Sequence, residues 1–143
     1  MVEHPLRAVI VSRHKSTQEF LSKILEKHGI PYDIVEHVDN LSILEGYYLV
    51  LGNIPLTLLL KTSVKYYIQV SLEIPKELRG KELGIEELVK YARFILFQHV
   101  ITFTEWYPRE AFEKVVEYDI FLVKDIDATL NEIKRRFRLE VGA

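Results

Sequence analysis

Apolar positions in the first part of the chain change from a strand-like run to helical spacing. Residues Ala8 to Val11 are continuously apolar, the pattern of a strand that is buried on both faces. After a polar break, the apolar positions between Phe20 and Leu25 recur at the spacing of one helix face. Ser16 and Glu19 fit a capping box at the start of this helix, and Gly29 fits its end.

Three further strands are predicted after this helix, and they cover Tyr32 to Glu36, Gly46 to Leu51 and Lys65 to Leu72. Residues 39–45 are polar and predict a loop or a short helical turn. Pro55 suits the first turn of a helix that continues to Lys61. Strands and helices that alternate at this spacing imply right-handed crossovers and a mostly parallel sheet.

The pattern is less regular in the second half of the chain. Residues 73–83 predict a charged loop with a turn at Gly80, and a helix follows from Gly84 to Ala92. The segment FILFQHVITF is compatible with a continued helix or with a strand. The last predicted elements are a helix from Pro108 to Tyr118, a strand from Ile120 to Val123 and a helix from Ala128 to Phe137. Residues 1–143 are therefore expected to form a single α/β domain, a Rossmann-like three-layer architecture.

Composition limits the partners that this domain can have. The formal net charge of −2 argues against binding duplex nucleic acid, although a small anionic ligand needs only a few local cations. The sequence has no cysteine, which excludes disulfides and thiolate metal sites and fits a reducing cytoplasm. Neither a signal peptide nor a bilayer-spanning apolar stretch is recognisable, so we expect a cytoplasmic protein without a membrane partner.

The richest candidate site follows the first predicted strand. Ligands of an open parallel sheet bind outside the carboxyl ends of its strands, where this sequence places Ser12, Arg13, His14 and Lys15, with His37 after the second strand. Arg13 can hold two phosphate oxygens, and His14 can act as a general acid or base near neutral pH. The alternative is that the two cations are solvated and His14 only contacts the helix start.

Other polar residues follow the third and fourth predicted strands. They are Gly52, Asn53, Ser71, Arg79 and Lys81. Glycine lets a ligand approach the backbone, and an asparagine amide both donates and accepts hydrogen bonds. The alternatives are a tight turn with Asn53 capping the next helix, a buried Ser71 hydroxyl bonded to backbone, and ordinary loop charges at Arg79 and Lys81.

Several motifs of other enzyme classes are absent. The chain has no GxGxxG, GxxxxGK[ST] or GxSxG, and no histidine pair at metal-ligand spacing, so no cofactor or metal is predicted. The Arg13-His14 pair at the end of a first strand resembles that of histidine phosphatases. In those proteins a glycine follows the histidine and a second histidine completes the site, whereas Lys15 follows here. This is the weaker hypothesis.

A different resemblance covers more of the chain. The segments VSRHKSTQEFL, VEHVD, LVLGNIPLTL and YYIQVSLEIPKELRGKELGIEEL together resemble a small CRISPR-associated family of type III loci, Csx number sixteen. These segments span about residues 8 to 92, and their order and spacing carry the resemblance. Residues 104–143 lie outside it and are expected to be a C-terminal extension of the domain.

The resemblance implies a ring nuclease, an enzyme that linearises cyclic oligoadenylate messengers and so switches off type III CRISPR effectors. It implies a homodimer with cyclic tetra-adenylate across the two-fold axis, where each protomer supplies the same groups to half of the ring. The implied reaction is metal-independent attack of a ribose 2′-OH on the adjacent phosphorus, which gives linear products with a 2′,3′-cyclic phosphate.

Residue roles follow from the same resemblance. The expected catalytic residues are Arg13, His14 and Ser12. The expected substrate-binding residues are Lys15, Gly52, Asn53, Ser71, Arg79 and Lys81. Arg79 and Lys81 would form a lid or phosphate clamp. Two alternatives stay open: a module that binds the messenger without cutting it, and a protein that binds a macromolecular partner through the loop at Arg79.

Overall fold

The computed structural model describes residues 6–62, 64–100, 109–111 and 117–141. The strands in these ranges are β1 (Ala8–Val11), β2 (Tyr32–Val35), β3 (Leu49–Gly52), β4 (Tyr66–Leu72), β5 (Ala92–Val100) and β6 (Glu117–Val123). The α-helices are α1 (Lys15–Lys27), α2 (Leu56–Leu59), α3 (Ile85–Lys90) and α4 (Ile126–Glu140). Short 3₁₀ helices cover Leu41–Gly46, Lys76–Leu78 and Arg109–Ala111. None of the helices in these ranges combines the length and hydropathy that a bilayer crossing requires.

All six strands form one sheet in the order β2-β1-β3-β4-β5-β6. Strands β1 to β4 pair in parallel, while β5 runs antiparallel to β4 and β6 antiparallel to β5. The predicted α/β class with a mostly parallel sheet is therefore confirmed, and the order agrees with a Rossmann-like fold. From β1 the chain moves to β2 on one side and then returns to β3 on the other, which creates a topological switch point between β1 and β3.

Side chains are buried on both faces of the sheet, which explains the continuous apolar runs in β1 and β3. All four residues of each of these strands are buried. One face packs against α1 and α4, for example Phe20 and Leu130, and the other against the chain around Leu44 and Leu59. Tyr66 and Tyr67 alternate along β4 and belong to the opposite faces.

The predicted start of α1 needs correction. The helix begins at Lys15, and its N-cap is His14, whose side chain makes no capping hydrogen bond. Ser16 therefore lies inside the helix, and the capping box with Glu19 is wrong. Ser12 supplies the local side-chain contact instead, because its Oγ accepts the backbone N–H of His14 at 3.2 Å.

Other element boundaries differ from the predicted ones at short helices that contain polar and turn residues. Gly46 ends a 3₁₀ helix rather than beginning β3, which starts three residues later at Leu49. Pro55 is the N-cap of α2 rather than a residue of its first turn, and this helix ends at Leu59. The polar turn 39–45 was predicted in the right place, and most of it forms the 3₁₀ helix.

Residues 94–100 (FILFQHV) of the ambiguous segment FILFQHVITF form a strand, and residues 101–103 lie outside the described ranges. Strand β5 begins at Ala92, so this residue does not belong to the preceding helix. The strand β5 pairs with β4 along the whole length of β4. Its aromatic and β-branched residues suit a pleated surface that is covered on both sides. Of the helix predicted from Pro108 to Tyr118, residues 108 and 112–116 are outside the described ranges, Arg109–Ala111 form the short 3₁₀ helix, and Tyr118 lies in β6.

Candidate functional site

A pocket of about 330 Å³ lies at the switch point between the carboxyl ends of β1 and β3. Its polar lining consists of Ser12, Arg13, His14, Glu36, His37 and Asn53. Val11, Ile54 and Leu58 give it an apolar floor. A mostly apolar cavity with a few convergent polar groups is the usual form of a small-ligand site, and this position is where open parallel sheets bind ligands.

Ser12 holds the turn between β1 and α1 in place. It is only 4% exposed, its N–H donates to the Val35 carbonyl, and its own carbonyl accepts from Nε2 of Gln18 at 2.6 Å. Together with the contact to the His14 N–H, these bonds connect Ser12 to β2 and to α1. Ser12 therefore shapes the turn that presents Arg13 and His14, and its catalytic role stays a prediction.

Arg13 is tied to the segment that follows β2. Its Nη2 lies 2.8 Å from Nδ1 of His37, and Nε2 of His37 lies 2.9 Å from Oδ1 of Asp39. All three side chains are exposed at the mouth of the pocket or beside it. The result is a chain of polar contacts that connects the carboxyl ends of two neighbouring strands.

Sequence reasoning missed most of this chain. His37 was recognised as a strand-end residue but received no role, and Asp39 was not considered. The position of His37 directly after the second strand was a usable signal, because the carboxyl ends of neighbouring parallel strands meet at one edge of a sheet. β1 and β2 pair in register from Ala8 with Tyr32 to Val11 with Val35, which brings the residues after each strand together.

His14 lies on a ridge between the pocket and a second cavity. It is the N-cap of α1, its carbonyl accepts from the N–H of Gln18 at 3.0 Å, and its side chain is exposed. The N–H groups of a helix's first turn have no partners within the helix, and the helix dipole makes this end positive. An imidazole and a locally positive backbone therefore occur together.

The second cavity is an open groove of about 810 Å³ between the start of α1 and the loop that follows β4. His14, Thr17, Lys76 and Arg79 contribute to its lining. The Nε of Arg79 donates to the carbonyl of Ile74 at 3.3 Å, which holds its guanidinium at this groove. Arg79 thus shares this groove with His14 but does not line the pocket that contains Arg13.

Gly52 serves the packing of the sheet. Its φ is +130°, and a Cβ built there would lie 2.0 Å from the carbonyl oxygen of Val11. A glycine is required there because the backbone of β1 lies against it, and its predicted contact with a ligand stays a prediction. The next residue, Asn53, donates its N–H to the same Val11 oxygen at 3.0 Å, and it lines the pocket.

The alternative role for Asn53 as a helix cap is wrong, because Pro55 is the N-cap of α2. The loop after β3 is instead fixed by hydrogen bonds to the buried side chain of Tyr67. Its hydroxyl donates to the carbonyl of Gly52 at 3.1 Å and accepts the N–H of Ile54 at 2.8 Å. Burial raises the pKa of Tyr67 to about 12, so the hydroxyl stays protonated at neutral pH and can keep both bonds.

Four predicted binding residues lie outside both cavities: Gly52, described above, and Lys15, Ser71 and Lys81. Lys15 is the exposed first residue of α1, and Lys81 follows the turn at Gly80. Ser71 is exposed on β4 opposite Arg93, so the alternative of a buried hydroxyl there is wrong. In the described ranges, no group of three histidine, aspartate or glutamate side chains is arranged to hold a metal ion.

Comparison with known proteins identifies the family. The family model described as "Putative CRISPR-associated protein (Cas_VVA1548)" matches residues 9–100, more than half of the chain. The chain belongs to this CRISPR-associated family. No curated protein and no solved structure matches it. The Cas_VVA1548 match runs from β1 to the end of β5 and contains every residue that lines either cavity, whereas β6 and α4 lie beyond it.

Proposed function

We propose that this protein is a ring nuclease of the Csx number sixteen type that cleaves cyclic oligoadenylate, and cyclic tetra-adenylate in particular. One observation carries the proposal: Arg13, His14 and His37 line a single pocket at the switch point, within the segment that the CRISPR-associated family covers. A phosphate-binding fork and two imidazoles are groups that phosphodiester cleavage can use. The protein would act in the cytoplasm and switch off type III CRISPR signalling.

The proposed reaction needs neither water nor a metal. A ribose 2′-oxygen attacks the adjacent phosphorus, the P–O2′ bond forms, and the P–O5′ bond breaks. The 2′-OH proton passes to a base, and the leaving 5′-oxygen takes a proton, so the products are a 2′,3′-cyclic phosphate and a free 5′-OH. Because the nucleophile belongs to the substrate, the protein has to align it and to stabilise charge on the phosphoryl oxygens.

Arg13 and His14 are the residues that we assign to these tasks. The guanidinium of Arg13 would donate two hydrogen bonds to the phosphoryl oxygens as their charge grows. The amides at the start of α1 and the Lys15 ammonium would add positive potential. His14, exposed on the ridge beside them, would take the 2′-OH proton or protonate the leaving oxygen.

Substrate contacts would extend to both sides of His14. An adenine base suits the apolar floor of the pocket, with the Asn53 amide able to contact a base or ribose edge. The next phosphate along the ring would reach Arg79 in the groove. Roles for Ser71 and Lys81 require a ring that extends beyond the two cavities of one protomer, as it would across the axis of a homodimer.

Phosphomonoester hydrolysis is the second candidate, and one observation favours it. His37 brings a second histidine to the pocket that His14 lines, and a second histidine completes a histidine-phosphatase site, whereas Lys15 still stands in place of its glycine. Release of inorganic phosphate from phosphomonoesters, together with an intact cyclic oligoadenylate, would support this candidate and contradict the ring nuclease.

The deciding experiment mixes the purified protein with labelled cyclic tetra-adenylate in EDTA and resolves the products by chromatography. Linear di-adenylate with a cyclic phosphate end is the expected result. Tight binding with an intact ring would leave only the messenger-binding module. Neither binding nor cleavage with ring sizes from three to six would reject cyclic oligoadenylate as the ligand.

A further inference from the structure

The contacts of His37 determine where its ring proton lies. A guanidinium has only donors, so the 2.8 Å contact from Arg13 requires an unprotonated Nδ1 with its lone pair toward Arg13. The ring proton of neutral His37 is then on Nε2, and it donates to Oδ1 of Asp39 at 2.9 Å. Both ring nitrogens are thereby used, one toward each charged neighbour.

These two bonds restrain Arg13. An exposed arginine side chain otherwise samples many rotamers, and holding it in one geometry costs conformational entropy at the moment of binding. His37 lies after β2 and reaches Arg13 at the end of β1, where the pocket opens. Asp39 in turn fixes the tautomer and the ring orientation, as a carboxylate does for an imidazole in other polar networks.

We propose that His37, oriented by Asp39, is a positioning residue that holds the Arg13 guanidinium at the pocket for the charge of the phosphoryl transition state. The inference rests on the proposed function for its kinetic consequence. Its structural part, the tautomer and the Arg13 contact, stands independently of any substrate. His37 is not the proton acceptor in this arrangement, because its only lone pair in the ring plane is directed at Arg13.

The kinetic test compares two substitutions of His37. His37→Ala removes the acceptor and should lower kcat for ring cleavage by about 10²-fold with little change in KM, since the loss falls on transition-state contacts. His37→Asn keeps an oxygen near the position of Nδ1, can still accept from Arg13, and should recover most of that loss. Asparagine cannot serve as a base, so equal loss in both variants would overturn the positioning role in favour of proton transfer.

A second test needs no substrate. Imidazole ¹H–¹⁵N correlation spectra of the full-length protein should show His37 with Nε2 protonated and Nδ1 unprotonated. Asp39→Asn and Arg13→Ala should each increase the population of the other tautomer, whereas Asp119→Asn, at an exposed position on β6, should not. An unchanged tautomer in both site variants would overturn the inference. The expected spectra without ring cleavage would instead reject the proposed function and leave the Arg13–His37–Asp39 chain standing.

Discussion

Nε2 of His28 lies 2.6 Å from Oδ1 of Asp127, and this contact joins the end of α1 to the first turn of α4. The His28 side chain is only 7% exposed, and the second oxygen of Asp127 accepts from Lys27 at 3.3 Å. Helix α4 lies beyond the span of the family match, whereas α1 begins at the candidate site. The pair therefore attaches the C-terminal helix to the helix that presents His14.

Asp127→Asn should lower the free energy of unfolding by about 0.5–1 kcal/mol at pH 7, because the Asp127 and Lys27 side chains are both about half exposed and solvent screens their charges. The hydrogen bond from His28 lowers the pKa of Asp127 below its ordinary value. A lowered carboxyl pKa stabilises the fold above the unfolded-state value, and this contribution is lost as the pH falls through the folded-state pKa. Urea denaturation should thus show the difference from wild type closing toward pH 3, and a constant difference would contradict it.

Tyr67→Phe should destabilise the protein, whereas Tyr48→Phe should not. Removal of the Tyr67 hydroxyl leaves the Ile54 N–H and the Gly52 carbonyl without their partner, which should cost about 1–3 kcal/mol. The Tyr48 hydroxyl is buried without a hydrogen-bond partner in the described part of the chain, so its removal should be neutral or stabilising. Thermal unfolding of both variants measures the contrast, and equal destabilisation would contradict it.

The sequence predicted the core strands well because burial on both faces leaves a plain signal. The predicted bounds of β1, Ala8 and Val11, agree with the structure to the residue, and so does the predicted end of β4 at Leu72. The errors fall where local and tertiary preferences compete. Helical periodicity suggested that Ala92 continues a helix, whereas pairing with β4 and burial of Phe94 and Phe97 make this segment a strand.

Gly52→Ala should destabilise the protein severely. A methyl group there would collide with the Val11 carbonyl, and the φ of +130° is strained for any other residue. We expect a loss of about 3–5 kcal/mol or failure to fold. Gly46→Ala is the matched control, since nothing lies within 4 Å of a Cβ at that position. Urea denaturation that shows two similar variants would contradict the close packing of β1 against β3.

The strand-end rule located part of the candidate site and could not locate the rest. It selected Arg13, His14 and Asn53, which the pocket brings together. It also selected Ser71, but alternation along β4 sets its side chain on the strand surface opposite Arg93 rather than in a cavity. The same rule places His37 at the edge of the sheet where Arg13 lies, but their direct contact depends on the register between β1 and β2, which a single sequence does not contain.

Arg13→Ala should lower the rate of cyclic tetra-adenylate cleavage by about 10²–10³-fold, because it removes a donor to the developing phosphoryl charge. His14→Ala should lower that rate by about 10²–10⁴-fold, because it removes a proton-transfer group. The loss of binding affinity in His14→Ala should be smaller than the loss of turnover in Arg13→Ala. Single-turnover cleavage and equilibrium binding of the labelled ring measure the two effects separately.

Arg138→Ala is the matched control for loss of an arginine, because Arg138 is exposed near the end of α4 and lines neither cavity. It should leave cleavage unchanged and so separate a local loss from a general change in charge. Wild-type rates in both Arg13→Ala and His14→Ala would show that the turn after β1 is not the site. Loss of cleavage in His14→Ala alone would leave the imidazole as the catalyst and remove Arg13, with its His37 contact, from the mechanism.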